Sequence, residues 1–470
     1  MSDQQQPSDL QAALDAHRSG DLENAERGYR AVLETDSGHI DALHLMATLK
    51  LQAGAAEEAL AFADKVIAAA PEIADAHGNR GSALQALDRL GEAAYAFRRA
   101  IELAPEAAHL HFNLGNALRA DGDKAGAVRA YREALRCDST LAQAHSNLGA
   151  TLSELGLFAV AAAHCRTAVN IAPGYAEAHY NLGNAMRELG SFAEALTSYE
   201  MAVELFPAFA DAACNHGLVK MRDDPKAAIQ SFAHALTVEP DHPMARFYQG
   251  IAMAISGGSS DAAFAMLDGS DPMISAWLDS WRYIQDHADD ATILIHDPLS
   301  LLSFAHGKAS LDGLTLEFGV RHGQSIRHIA GIYGGRVHGF DSFTGLPSAW
   351  GGEPEGVYST DGELPDVPAN VTLNQGLFED TLPGFLEEHD GPVRFCNVDC
   401  DLYASTVTVL DALAPRIQPG TVLVFDEYLV NPTWRDDEYR AFQEAVAANG
   451  WSYRHLAFGI VTKQAAVLIV

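Results

Sequence analysis

Basic residues are scarce in this chain. Lys and Arg together number 31 against 63 Asp and Glu, which leaves a formal net charge of −32 over 470 residues. Both halves share the deficit, with 30 acidic against 11 basic residues from residue 261 onward and 33 against 20 before it. A field of that sign opposes nucleic acid and anionic membranes as partners. No apolar run approaches the roughly 18 residues that a membrane crossing needs. The five cysteines show no spacing pattern and imply no disulfide framework. Met1 to Gln6 has neither the basic nor the apolar region of a signal peptide, so the cytoplasm is the default compartment. With 48% hydrophobic residues, the chain is long enough for two or more cores.

Acids at strand ends are what the chain does have. Val393 to Val398 and Thr421 to Phe425 are short apolar runs rich in β-branched and aromatic residues, preceded by Gly391-Pro392 and Pro419-Gly420. Each is expected to be a buried parallel strand, with a helix from Ala404 to Ile417 between them. The first run ends in Asp399-Cys400-Asp401 and the second in Asp426-Glu427. Adjacent parallel strands present their carboxyl ends to one crevice, so four carboxylates should meet there and call for a cation. Cys396 and Cys400 read as small apolar residues on the first strand.

A second constellation lies upstream. Leu314 to Gly319 runs as a strand into a glycine turn, Gly319 to Gly323, and then a helix from about Ser325, an arrangement in which backbone amides approach a nucleotide-like ligand. Glu317 precedes the glycines, and Asp341 closes the next strand, Arg336 to Phe340, where an acid can accept both ribose hydroxyls. The three-glycine spacing of dinucleotide sites is missing, and Glu317 would repel a pyrophosphate. A cationic, ribose-bearing ligand without phosphate fits better, and S-adenosylmethionine is the common cofactor of that description. The competing reading is a generic strand-to-helix turn with acids present for solubility.

Five blocks in order then carry a resemblance. They are Glu317-Phe318-Gly319, Gly339 to Pro347, Gly376 to Pro383, Asp399 to Thr406, and Phe425 to Tyr428. Together they resemble the macrocin O-methyltransferase-like class I S-adenosylmethionine-dependent methyltransferases over residues 311–470. The resemblance implies an α/β Rossmann-like fold, a mostly parallel sheet with helices on both faces. It assigns Glu317, Gly319, Gly323 and Ser325 to the methionine part of the cofactor, Asp341 with Ser342 to the ribose, and Phe378, in the turn after the third strand, to the adenine. It makes Asp399, Asp426 and Glu427 the ligands of a magnesium ion and Asp401 the general base. Glu427 departs from the family's more usual aspartate. Asp401 also precedes a helix, so a capping role stands beside the catalytic one. Oxygen-only donors suit a hard cation such as magnesium better than zinc. Family members of this type often pair as homodimers. Trp350 is placed on a loop over the cleft, and His322 is read as a solvent-facing spacer.

The N-terminal half repeats itself. At a shift of 34 residues Asn79, Asn113, Asn147, Asn181 and Asn215 align, with a glycine two places after each. Such a period means stacked helical hairpins, and the copy from Ala176 to Phe209 resembles a tetratricopeptide repeat. Copies start at residues 6, 40, 74, 108, 142, 176 and 210, the last one residue short near Asp223-Asp224-Pro225. The expected organisation is an all-α tetratricopeptide superhelix with a capping helix over residues 6–255. A linker with a hinge at Ser256–Ser260 and a connecting helix follows over 256–290, and the methyltransferase domain occupies 291–470. The asparagine row has two readings. It can bind the backbone of an extended peptide or partner protein, as in the similar superhelix of protein O-linked N-acetylglucosamine transferase, or it can bond neighbouring helices to each other.

The resemblance therefore implies a magnesium-assisted O-methyltransferase acting on a hydroxyl of a sugar or glycan-type acceptor, with repeats that recruit a partner or a large acceptor. A protein or peptide methyltransferase fed by the repeats and a non-catalytic scaffold are the alternatives.

Overall fold

The structure is a computed structural model that describes residues 6–349 and 355–470. Trp350 lies outside the described residues. By packing, the chain divides into two compact units after Ala185. The sequence boundaries expected at 255 and 290 both fall inside the second unit.

Helical hairpins build the first unit. Helices begin at Ile40, Ala74, Ala108 and Ala142, each followed by a partner helix that begins at Ala56, Leu90, Lys124 or Phe158, so the 34-residue period of the sequence is the period of the hairpins. Small residues let paired helices touch. At Gly81 a methyl group would meet the Phe97 ring at 2.7 Å, so the glycine is what admits the ring. Aspartates start some second helices: Asp123 accepts the Gly126 N–H at 2.7 Å and so satisfies an otherwise orphaned donor.

The second unit joins further hairpins to a sheet. The pair Ala210–Met221 and Pro225–Val238 holds the shortened repeat, its second helix opened by Asp224 and Pro225. Pro243–Ile255 caps it, and Phe247 on that helix packs against Phe264 and Trp277 at ring separations of 5.6 and 5.4 Å. Trp277 belongs to the connecting helix Pro272–His287, within the expected 256–290 region. Its Tyr283 is buried among Tyr428, Trp434, Tyr439 and His455, and its Ser280 Oγ accepts the Val430 N–H at 2.8 Å. The connecting helix thus belongs to the core of the sheet-bearing part rather than to a free linker.

The strands are β1 (Ile293–Leu294), β2 (Leu314–Phe318), β3 (Val337–Asp341), β4 (Val371–Gln375), β5 (Val393–Val398), β6 (Val422–Phe425), β7 (Tyr453–Phe458) and β8 (Ala465–Ile469). Among the described residues they form one sheet in the order β1-β7-β8-β6-β5-β2-β3-β4. All neighbours run parallel except β8, which lies antiparallel between β6 and β7. The fold is the expected mostly parallel α/β sheet. β2 and β5 are side by side although two strands intervene in sequence, and chain order departs in opposite directions from that pair. A sheet of this kind opens a crevice at the carboxyl ends of such a pair. Buried strands account for the apolar runs: every residue of β2 and β6 is buried. No helix among the described residues is long and apolar enough to cross a membrane.

Candidate active site

A cavity of about 720 Å³ opens at the carboxyl ends of β2, β3, β5 and β6. That size suits a cofactor-sized molecule, for which pockets of roughly 300–1,000 Å³ are usual. Gly319, Asp341, Ser342, Phe378, Asp399, Asp401, Asp426 and Glu427 all line it. Sequence separation of more than a hundred residues between Gly319 and Glu427 is closed by the parallel pairing of their strands.

Glu317, Gly323 and Ser325 are not on the cavity wall. Glu317 is fully buried beneath the glycine turn, where Ser325 Oγ donates to its Oε1 at 2.7 Å and Oε2 has no hydrogen-bond partner among the described residues. Burial raises its pKa to about 8, against the opposing pull of Ser325 and Asn397. Gly323 stands at φ +75 as the N-cap of the helix Gln324–Tyr333. Gly319, at φ +90, carries the chain across the end of β5, where any Cβ would overlap the Asp399 carbonyl oxygen.

Asp341 is held by backbone. Its Oδ2 accepts the Arg321 N–H at 2.7 Å and its Oδ1 the Phe343 N–H at 2.6 Å, which fixes the carboxylate at the cavity wall. Phe378 is the first residue of the helix Phe378–Glu388 rather than part of the preceding turn, because the chain turns earlier, at Gly376 with φ +141. Its ring meets Phe318 edge-on at 5.3 Å. His322 is partly buried rather than solvent-facing.

The acid cluster shapes the field of the cavity. Burial raises Asp401 to about 7, with Glu427 and Asp426 adding to the shift while Lys463 and Arg321 oppose it. Burial raises Asp426 to about 6, with Glu427 adding to it. Asp399 is pushed well above the usual range by burial and by Asp426 and Asp401. Asp401 itself sits at φ +57. It does not cap the following helix, which runs Tyr403–Leu413 from Leu402 as N-cap and has no side-chain cap bond.

The donors do not fit a magnesium ion. Lys463 Nζ donates to Glu427 Oε1 at 2.9 Å, Asn431 Nδ2 to Glu427 Oε2 at 3.3 Å, and Gln464 Nε2 to Asp426 Oδ1 at 2.6 Å. Among the described residues no three His, Cys, Asp or Glu side chains come together in a way that could hold a metal ion. Of the ligand set that the resemblance implies, Glu427 and one oxygen of Asp426 are thus turned toward protein partners, and Asp399 lines the same cavity.

Sequence reasoning missed Arg321, Glu438, Lys463 and Gln464. Arg321 lines the cavity with its guanidinium 4.8 Å from the Tyr358 ring centre. Glu438 bonds the loops after β5 and β6. The visible signal for the other two was a short polar stretch, Thr462-Lys463-Gln464, directly before the apolar strand β8.

Comparison with known proteins agrees with this architecture. Residues 316–428 match a family described as a methyltransferase domain, and residues 44–108, 115–156 and 140–208 match tetratricopeptide repeat families. The chain joins tetratricopeptide repeats to a methyltransferase domain. Over 61 residues it is 38% identical to the 8-demethyl-8-(2,3-dimethoxy-alpha-L-rhamnosyl)-tetracenomycin-C 4'-O-methyltransferase of Streptomyces olivaceus, covering 13% of this chain and 22% of that protein. The chain therefore spans about a fifth of that curated relative's length. Among solved structures it is similar to YrrB, a TPR protein with an unusual peptide-binding site, at 25% identity over 39% of this chain and 95% of that one, TM-score 0.34. MamA from Desulfovibrio magneticus RS-1 is 22% identical over 36% of this chain and 96% of that one, TM-score 0.34. Glu438, Lys463 and Gln464 lie beyond the matched methyltransferase residues.

Proposed function

We propose that the methyltransferase domain binds S-adenosylmethionine and methylates a hydroxyl oxygen of a sugar or glycan-type acceptor, while the repeats bind a protein or peptide segment. The observation that carries this reading is Asp341. Its carboxylate is aimed by two backbone N–H groups into a cavity that it shares with Asp399, Asp401 and Asp426.

The residues fit the cofactor's chemistry. A wall of carboxylates suits a ligand whose sulfonium and ammonium are cationic. Asp341 and Ser342 would take the ribose hydroxyls and Phe378 the adenine face, with Glu317, Gly319, Gly323 and Ser325 shaping the turn at the methionine end. When bound, S-adenosylmethionine supplies a methyl group activated by the sulfonium.

Chain residues supply the rest. A neutral hydroxyl is a poor nucleophile unless its proton leaves as the new bond forms, and Asp401, at about 7, is poised to hold that proton at neutral pH. Arg321 and Lys463 offset part of the local negative charge. The sugar class rests on the family resemblance and on the rhamnose-bearing name of the Streptomyces relative. No metal step enters this reading, because the oxygens of Glu427 and one oxygen of Asp426 are bonded to protein donors.

Calorimetric titration with S-adenosylmethionine and S-adenosylhomocysteine tests the cofactor. Micromolar binding to the wild type, lost in Asp341→Ala, supports the reading and justifies transfer of a labelled methyl group to nucleotide sugars and glycans. No binding of either compound sinks it.

A further inference from the structure

The antiparallel strand β8 brings a cation to the acids. β6 and β8 pair with Phe425 opposite Ala465. Extending that antiparallel register one residue past β6 and one residue back from β8 sets Gln464 across from Asp426, and a second such step sets Lys463 across from Glu427. The side chains follow that register: Gln464 Nε2 donates to Asp426 Oδ1 at 2.6 Å and Lys463 Nζ to Glu427 Oε1 at 2.9 Å.

Backbone holds Lys463 there. Its carbonyl accepts the Leu429 N–H at 3.0 Å, its φ is +65, and the flanking Gln464 is buried at 1% exposure. Glu427 is also buried, and a buried carboxylate needs a partner. Its Oε2 has Asn431, so both oxygens are engaged without any ion.

We propose that Lys463 is the resident cation of this acid cluster, an ammonium delivered by the β7–β8 turn that stands in for a divalent metal. This inference rests on the methyltransferase reading of the cavity and sharpens it: the chain pins Glu427 with its own ammonium and needs no magnesium there. A fixed charge on the protein costs no ion binding, and Glu427 is pinned by it instead of serving as a ligand.

The test is an electron paramagnetic resonance titration of the full-length chain with manganese, with magnesium as competitor, on wild type, Lys463→Met and Lys463→Gln. The wild type should show no manganese signal that magnesium displaces. Both variants, stripped of the ammonium, should gain a magnesium-displaceable manganese site that the wild type lacks, and Asp426→Asn added to either should abolish it. A magnesium-displaceable site in the wild type overturns the proposal, and so does equal behaviour of wild type and variants, whether all bind or none. S-adenosylhomocysteine binding, followed in parallel, confirms that each variant is folded. Its absence from the wild type would remove the methyltransferase reading while leaving the manganese result to stand by itself.

Discussion

Glu438 accepts the backbone N–H of Glu427 at 3.0 Å through Oε2, and its other oxygen accepts the N–H of Cys400, also at 3.0 Å. One fully buried carboxylate thereby ties the loop after β5 to the loop after β6, just past their last paired residues, Val398 and Phe425. Burial pushes its pKa well up, while the two amide bonds pull the other way by favouring the carboxylate. Of side chains this length, only a carboxylate offers two acceptor oxygens. Glu438→Gln keeps one and turns an NH2 toward the other amide, leaving buried donors facing each other at a cost of about 1–3 kcal/mol. Urea unfolding should show that loss, and the Cys400 and Glu427 amides should exchange hydrogen faster. Unchanged exchange at both would mean the loops are held by something else.

The raised acids set a pH dependence. Glu317 rises to about 8, Asp401 to about 7 and Asp426 to about 6, all through burial first. In the unfolded chain such groups titrate near about 4, so the folded state holds more protons between that pH and the folded values. Stability is then fully present below about pH 4 and is lost as pH rises from there through the folded values of about 6 to 8. The midpoint of thermal unfolding should fall across this window. Glu317→Gln, which keeps an oxygen for Ser325 Oγ, should flatten the fall and stabilise the ligand-free protein at pH 7 by about 3 kcal/mol. A midpoint that rises with pH over the same range would refute the assignment.

Gly319 tests the approach of β2 to β5. With φ at +90 and the Asp399 carbonyl where a Cβ would go, Gly319→Ala meets both strain and overlap. Backbone cannot give way easily, because the Gly319 N–H is bonded to Phe340 O at 3.0 Å and the Asp399 N–H to Phe318 O at 2.9 Å. A loss of more than about 2 kcal/mol follows. Circular dichroism during heating would register it, and a variant as stable as wild type would show that the strand ends can part.

Local patterns made much of this legible. A 34-residue period needs only the sequence compared with itself, and the hairpin starts at Ile40, Ala74, Ala108 and Ala142 repeat it. Short apolar runs bounded by Gly and Pro located β2, β5 and β6, and acids directly after them located the cavity. What depends on distant pairing was hidden. Lys463 and Gln464 reach the acids only because β8 enters antiparallel between β6 and β7, and Glu438 matters only because its helix starts beneath two loops. Tyr283 looked like part of a connecting helix, yet its ring lies in an aromatic cluster with residues from 428 to 455.

The asparagine row can be apportioned by mutation. Asn79 Nδ2 donates to Thr48 Oγ1 at 3.1 Å, Asn147 to Asn116 Oδ1 at 2.9 Å and Asn181 to Ser146 Oγ at 2.9 Å, so in each case the acceptor sits on the first helix of the preceding repeat. Tyr131 OH donates to the same Asn116 oxygen at 2.8 Å. An amide already spending one N–H between repeats has only its carbonyl and its second N–H to offer a peptide. Asn147→Ala should therefore cost about 1 kcal/mol of stability, and Asn116→Ala more, since two donors lose their acceptor at once. The double variant should cost less than the sum, because the shared bond can be lost only once. Additive losses would show that these amides act independently of each other, and would return the row to the peptide-ladder reading.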